Sequence, residues 1–269
     1  MKKIKGLFSL IRFELPLAAG ICVVLGQLFA LGYFAPLYLT LTSALSVFFI
    51  SASIIVINDY FDIKTDKINA PNRPIPSGLV SPAQALALAL FLSLSGLILS
   101  LTISIAALLF SIGLAIIGFL YNRKFKKHGL LGNLMVSFSV GMTFVFGGLS
   151  VGMPFNKVVL FFAVIAALVD LGEEIAADSM DVKGDKLIDS KSIAIKHGKE
   201  KALRVSAFIF VLVIVLSLIP FLLQWFNKVY LIPIAVMDIF IGYSTFHLIR
   251  SKNEEGTFVC FILEQCLGL

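Results

Sequence analysis

Apolar residues in this chain come in long unbroken runs, with neither the two-residue alternation of half-buried strands nor the single stripe of a soluble helix. The runs lie at about 13–33, 37–57, 83–102, 103–121, 132–152, 157–177, 203–225 and 229–249, with a shorter ninth at about 256–267. At 1.5 Å per residue, ~20 residues cross a hydrocarbon layer of about 30 Å, so each of the first eight is long enough to span a bilayer. The third and fourth runs are nearly continuous; Leu101, Thr102 and Ser104 mark the turn expected between them. Turn formers crowd the stretch after the second run: Asn69, Pro71, Asn72, Pro74, Pro76, Ser77 and Gly78. Pro74 and Pro76 exclude regular helix there, predicting an ordered loop, and Ser81-Pro82 restarts helix with proline in the first turn.

Charge sets the orientation. Of 22 Lys and Arg, all but Lys157 and Lys228 fall in the N-terminal tail or in the loops at 58–82, 122–131, 178–204 and 250–255. These segments alternate with charge-poor connections along the chain, so the positive-inside rule puts the N-terminus and the basic loops on the cytoplasmic side. The hydrophobic fraction of 59 % against 14 % charged and the mean hydropathy of +0.99 exclude an ordinary soluble domain. The net charge of +6 follows from the loop bias and implies contact with anionic lipid heads, not nucleic acid. Met1–Arg12 is basic but leads straight into membrane sequence, so no cleavable signal peptide is expected. Cys22, Cys260 and Cys266 stand isolated in apolar runs and read as small buried hydrophobes; His128, His197 and His247 are too scattered for a zinc set.

Against this background one pattern occurs twice. Asp59–Lys67 reads DYFDIKTDK and Asp178–Lys186 reads DSMDVKGDK, both D-x-x-D-[I/V]-K-x-D-K. Each follows an apolar run, the second and the sixth, so four spans separate them and both lie at the cytoplasmic surface. That spacing is expected of a parallel duplication of a four-helix unit. On a helix, offsets of 0, 3 and 7 share one face, so each copy gathers three carboxylates. A carboxylate at a helix end is commonly just solvated loop charge. Two matched sets in so apolar a chain instead ask for multivalent cations, with Mg²⁺ the expected ion and a diphosphate the expected anion it carries. The metal set is then Asn58, Asp59, Asp62, Asp66, Asp178, Asp181 and Asp185, of which Asp62, Asp66, Asp181 and Asp185 are the expected catalytic residues. Neutralising a diphosphate makes it a leaving group, so an allylic C–O bond can ionise. Asn58, Lys67, Arg73, Tyr121, Lys126 and Lys191 are the candidates for contact with the diphosphate. Tyr121 reads equally as an interfacial aromatic anchor, and single lysines as topology determinants. Asp170 and Glu174 extend the second acidic stripe into the membrane, and Glu174 is a candidate acceptor-side base.

Asn58-Asp59-x-x-Asp62-x-x-x-Asp66 and Asp178-x-x-Asp181-x-x-x-Asp185 resemble the two motifs of the UbiA superfamily of intramembrane prenyltransferases. The string Lys67-Ile68-Asn69-x-Pro71-x-Arg73-Pro74-Ile75-Pro76-Ser77-Gly78, Tyr121-Asn122 with Lys126, and Lys191-Ser192 are similar to members of that family as well; Glu173 and Ala177 stand where many relatives carry Arg and Lys. The resemblance implies an all-α polytopic protein of about nine transmembrane helices around a central cavity. It implies one transmembrane prenyltransferase domain over 1–269, with motif loops at 58–82 and 178–204, an isoprenyl tunnel and a Mg²⁺-bound diphosphate beneath a cytoplasmic cap. The loop string and compact length look most like the members that make archaeal ether lipids. The expected reaction is transfer of a geranylgeranyl group from its diphosphate to the glycerol hydroxyl of geranylgeranylglyceryl phosphate. The alternatives are an aromatic acceptor, a quinone precursor or porphyrinoid, and a cation-coupled transporter. Transporters hold their carboxylates near the midplane on broken helices, whereas both sets here fall at cytoplasmic helix ends.

Overall fold

The computed structural model describes residues 2–180, 182, 186 and 189–250, with side chains from 3 to 246. The described residues form helices, turns and no strand. In chain order the helices are α1 Lys2–Ile11, α2 Glu14–Leu31, α3 Leu37–Phe61, α4 Ile63–Asn69, α5 Pro82–Ile103, α6 Ile105–Leu120, α7 Leu130–Ser150 and α8 Lys157–Asp178. They continue with α9 Ile193–His197, α10 Lys199–Ser217, α11 Ile219–Leu222 and α12 Leu231–Arg250. Among the described residues, seven helices are long and apolar enough to cross a membrane. Helix α8 is also 22 residues long, but it carries Asp170, Glu173, Glu174 and Asp178. The first eight apolar runs are therefore all helical, and the ninth, 256–267, lies outside the described residues.

The breaks follow local chemistry. Ser104, extended at φ −172° and ψ 161°, ends α5 and caps α6, its hydroxyl accepting the Ala107 N–H at 3.0 Å. A single serine thus divides an otherwise continuous apolar stretch. Helix α5 starts with a capping box: the Gln84 N–H donates to the Ser81 hydroxyl and the Ser81 N–H donates to the Gln84 side chain, with Pro82 in the first turn. Helix α2 ends where Gly32 adopts φ +79° and its N–H donates to Leu28 C=O at 2.8 Å.

The chain divides into two compact units: residues through Lys126 together with Phe138–Val164, and Lys127–Ser137 together with the chain from Ile165 onward. In the first unit, small and hydroxylated residues let the backbones of neighbouring helices approach. The Ser46 hydroxyl donates to Gly96 C=O at 2.9 Å and meets Ser100 at 2.6 Å, Ser100 meets Ser111 at 2.7 Å, and Ser53 donates to Ala89 C=O at 2.8 Å. A Cβ at Gly96 would lie 2.8 Å from Ser46 C=O, so only glycine fits where α5 crosses α3. Each such bond inside a membrane contributes roughly 0.6 kcal/mol, and the close packing adds dispersion. Buried Gln27 on α2 donates to Ser43 at 3.2 Å and to Ser150 at 2.8 Å, tying α2 to α3 and α7. Leu86, Leu90, Leu94 and Ile98 leave a column of exposed apolar side chains on α5, the surface a lipid tail would cover. The apolar cluster that matters most for function joins Leu10 and Ile11 of α1, Ala52 and Val56 of α3, Ile75 and Val80 of the loop, and Ala85, Ala89 and Leu92 of α5. It pins the Pro-rich loop and the end of α1 against the C-terminal half of α3.

In the second unit, Ile175 of α8 packs with Ala194, Ala202 and Ile209. The Ser206 hydroxyl donates to Gly172 C=O at 2.7 Å, holding α10 against α8. Gly129, at φ +61°, lies against the Lys191 carbonyl where a side chain would collide, and the Lys191 N–H donates to Lys127 C=O at 2.9 Å. The segment before α9 is thereby strapped to the turn before α7.

Candidate active site

The first aspartate motif does not lie on one continuous helix, as its offsets predict. Asp59 sits in the last turn of α3, Asp62 occupies the junction at φ −86° and ψ 5°, and Asp66 lies on α4. The hydrogen-bond register nonetheless runs through the junction, from the Asp62 N–H to Asn58 C=O at 2.9 Å and from the Asp66 N–H to Asp62 C=O at 2.8 Å. The break is a loosened turn, and the three carboxylates remain neighbours.

All three are buried, Asp59 at 2 % exposure, Asp62 at 8 % and Asp66 at 5 %. A buried carboxylate needs a countercharge or a full set of donors. Three cations from three different segments supply it. Arg12, at the α1–α2 corner, donates to Asp59. Arg73 donates to Asp66 at 2.6 Å and stands 3.7 Å from Asp59. Lys126 donates to Asp62. Burial pushes the Arg73 pKa down, but the hydrogen bond to Asp66 and the charges of Asp66, Asp59 and Asp62 outweigh it and hold it above the ordinary arginine value.

The loop presents Arg73 by its own geometry. The Arg73 N–H donates to Ala70 C=O, the Ser77 N–H to Arg73 C=O and the Val80 N–H to Pro74 C=O, while Gly78 takes the left-handed turn position at φ +76°. Arg12 also has positive φ, +46°, an unfavourable conformation for a side-chain-bearing residue, at the corner from which it reaches Asp59. Arg12, Asp59 and Arg73 line an open cleft of about 640 Å³ with Asn69, Asn72 and Phe8.

Whether these residues suit a divalent metal is a question of free oxygen ligands. Asp66 Oδ2 is buried and has no hydrogen-bond partner among the described residues, as expected of a carboxylate oxygen kept for a hard cation. No three Asp, Glu, His or Cys side chains among the described residues converge on one point; in the first motif each carboxylate faces its own cation. The donor set fits Mg²⁺ chemically, and these ion pairs would have to rearrange around it.

Asn58 is half-buried and linked through its amide: its Nδ2 donates to Asn122 Oδ1 at 2.7 Å, and Asn122 Nδ2 donates to Ile54 C=O at 3.2 Å. Tyr121 begins the π-helical turn Tyr121–Phe125 and is half-buried. Lys67 is exposed on α4. In the second unit Asp178 closes α8, and Asn133 Nδ2 donates to its Oδ2 at 3.0 Å. One turn along α7, the Ser137 hydroxyl donates to Asp170 Oδ2 at 2.9 Å. Turn bonds from Ser179 and Met180 end the helix immediately after Asp178. Lys191 has an exposed side chain. Asp181 and Asp185 lie outside the described residues.

The structure thus gathers Asn58, Asp59, Asp62, Asp66, Arg73 and Lys126 of the expected set in one unit. Three further residues escape the sequence pattern: Arg12 and Asn122 beside the first motif, and Asn133, which bonds Asp178 in the second unit. Arg12 reads as one more topology charge, and Asn122 as one letter of a loop string. Asn133 carries the plainest signal, a buried amide inside an apolar run.

A polytopic helical bundle with acidic motifs ending two membrane helices, the first of them met by arginine and lysine, defines an intramembrane protein suited to a metal-bound phosphate ester. The chain belongs to the UbiA prenyltransferase family, whose model matches residues 19–264. It is 36% identical over 255 residues to a digeranylgeranylglyceryl phosphate synthase of Methanocaldococcus jannaschii, covering 95% of this chain and 89% of that one. To the protein of that name in Archaeoglobus fulgidus it is 37% identical over 258 residues, covering 94% and 88%. A solved structure described as giving structural and mechanistic insights into digeranylgeranylglyceryl phosphate synthase in membranes matches with a TM-score of 0.71 at 34% identity, over 98% of this chain and 93% of that one. The apo structure of a UbiA homologue from Aeropyrum pernix K1 shares the fold, with a TM-score of 0.79 at 17% identity over 95% of this chain and 97% of that one.

Proposed function

We propose that this protein transfers a geranylgeranyl group from geranylgeranyl diphosphate to the glycerol hydroxyl of geranylgeranylglyceryl phosphate, with Mg²⁺ as cofactor. The observation that carries the prenyl-diphosphate half is the first motif itself: three buried carboxylates beside Arg12, Arg73 and Lys126, one carboxylate oxygen without a hydrogen-bond partner among the described residues. The acceptor is read from relatives of 36% and 37% identity along nearly the whole chain, both named for the digeranylgeranylglyceryl product. A UbiA homologue from Archaeoglobus fulgidus with 19% identity and a TM-score of 0.69 has been solved with GPP and Mg²⁺, in keeping with this reading.

In the proposed reaction Asn58, Asp59, Asp62 and Asp66 would hold metal at the first motif, and Asp178, Asp181 and Asp185 would hold it at the second. Mg²⁺ would supply charge neutralisation that makes diphosphate a leaving group. Lys126 and Arg73, released from their carboxylates, contact the diphosphate oxygens, with Lys67, Tyr121 and Lys191 as further contacts. The allylic C–O bond breaks and its electron pair leaves with the diphosphate. The apolar interior shields the resulting carbocation from water. The acceptor hydroxyl oxygen then forms the new C–O bond, and its proton passes to Glu174 or to the released diphosphate. The chain acts as one transmembrane prenyltransferase domain, its motif loops facing the cytoplasm, where both substrates' charged ends lie.

Diphosphate release from geranylgeranyl diphosphate by the purified protein, with a glyceryl-lipid or an aromatic acceptor and with or without Mg²⁺, tests this. Release that requires both Mg²⁺ and the glycerophosphate lipid is expected. Release with only the aromatic acceptor would overturn the acceptor, and no Mg²⁺-dependent release would overturn prenyl transfer.

A further inference from the structure

Asn122 is 7 % exposed and occupies the second position of the π-helical turn that follows α6. It is a buried amide whose two ends are both used, one toward Ile54 and one toward Asn58, residues one turn apart on α3. Turns of this kind are frequent at functional sites. Close packing brings α6 there: Gly118, one turn earlier, has three Ile54 side-chain atoms 2.7 to 3.0 Å from where its Cβ would be.

The polarity of the chain of bonds is fixed by chemistry. A backbone carbonyl only accepts, so the end of Asn122 facing Ile54 C=O must be its NH₂. Its oxygen is then the end toward Asn58, and the end of Asn58 that meets an oxygen must also be NH₂. That commits Asn58 Nδ2 to Asn122 and leaves Asn58 Oδ1, the only atom of the amide able to ligate a cation, as the opposite end. Reversing Asn58 would set two oxygens against each other at 2.7 Å and put an NH₂ group at the opposite end. Without Asn122, both orientations become open.

We propose that Asn122 is a positioning residue that orients the Asn58 amide so that its oxygen faces the metal site, relaying the polarity of the Ile54 carbonyl. This deepens the proposed function and rests on the reading of Asn58 as a metal ligand. A partner that holds a ligand from behind affects metal affinity by about 10- to 100-fold when removed. Asn122→Ala should therefore weaken binding while leaving the carboxylates in place.

Titrating the full-length protein with Mn²⁺ alone, and reading free ion by electron paramagnetic resonance, tests this independently of turnover. Thermal unfolding controls for folding, and Asn122→Ser, which keeps a small polar group in the buried turn, serves if the alanine variant is destabilised. Asn58→Ala and Asn122→Ala are each expected to weaken Mn²⁺ binding about tenfold, and the double variant no further than Asn58→Ala. Asn58→Asp carries an oxygen at both ends and sets one of them against Asn122 Oδ1, so adding Asn122→Ala there should relieve that repulsion and cause no loss of affinity. Unchanged binding in Asn122→Ala, with loss in Asn58→Ala, would overturn the relay and spare the metal-ligand reading. Equal loss from Asn122→Ala in the Asn58→Asp background would show a merely structural role and overturn it too. Unchanged binding in Asn58→Ala would overturn the ligand reading beneath both.

Discussion

The two aspartate motifs share a pattern and a position at a helix end, yet the described surroundings of their carboxylates differ. In the first, Asp59, Asp62 and Asp66 straddle a loosened junction and meet Arg12, Arg73 and Lys126. In the second, Asp178 closes an unbroken helix and takes a hydrogen bond from the neutral amide of Asn133, with Ser137 serving Asp170 one turn deeper. Ionic partners balance a carboxylate's charge, whereas a neutral donor only solvates it. Among the described residues, the first copy thus pairs its carboxylates with cations, while Asp178 of the second is met by an amide. The first copy has cations that an arriving diphosphate could take over.

The largest effects should come from the carboxylates themselves. Asp62→Ala and Asp181→Ala are each expected to lower prenyl transfer by more than about 10²-fold, the scale of removing one stabiliser of transition-state charge. Full activity in either variant, assayed as product formed per folded protein, would break the equivalence of the motifs as metal holders. Next come the cations of the first motif. Arg73→Ala should weaken use of the prenyl diphosphate by roughly tenfold, seen as a rise in KM, with Arg73→Lys recovering only part because a lysine lacks the planar fork.

Arg12→Ala would leave Asp59 buried with, among the described residues, Arg73 as its remaining cation at 3.7 Å. The expected loss is about 1–3 kcal/mol of stability, below the full value for a wholly buried pair because Arg12 is 28% exposed. Asp59→Asn in the same chain should recover most of it in thermal unfolding, and failure to do so would show that the pair is not what Arg12 contributes. Asn133→Ala, the counterpart in the second motif, should cost only about 1 kcal/mol. A larger loss than from Arg12→Ala would reverse the comparison.

The smallest effect concerns pH. The folded-state pKa of Arg73 is raised, so its contribution is complete at low pH and is lost only as pH rises through a value above the ordinary arginine range. The Arg73–Asp66 pair should not change the Tm of the wild-type protein between about pH 7 and about pH 10. Arg73→Lys should introduce a decline only above about pH 10, since lysine ordinarily titrates near about 10.4 and the carboxylates beside it raise that value. A parallel decline in both proteins would place the effect elsewhere.

Much of the architecture was legible from the residues. The eight apolar runs matched eight helices because a membrane leaves backbone groups no partner but their own helix, so apolar length alone predicts the element. Ser104, Ser81-Pro82 and the Pro-rich loop were readable because caps and prolines act within a turn or two. The acidic motifs were readable because repetition in an apolar chain is itself a signal. Their continuity as helix was not: Asp62 lies at a junction that no offset rule shows.

The partners were decided by folding. Arg12 reaches Asp59 across 47 positions, Asn133 reaches Asp178 across 45, and Asn122 reaches Asn58 across 64. Such pairings depend on how α1, α3, α6, α7 and α8 pack, through glycine and serine contacts that carry little local signal. Composition and spacing settled that this chain crosses a membrane and sets acidic motifs at two helix ends, because those properties are local in sequence. Which charge or amide faces each carboxylate was left to tertiary structure, because only packing brings distant polar groups within hydrogen-bond reach in a low-dielectric interior.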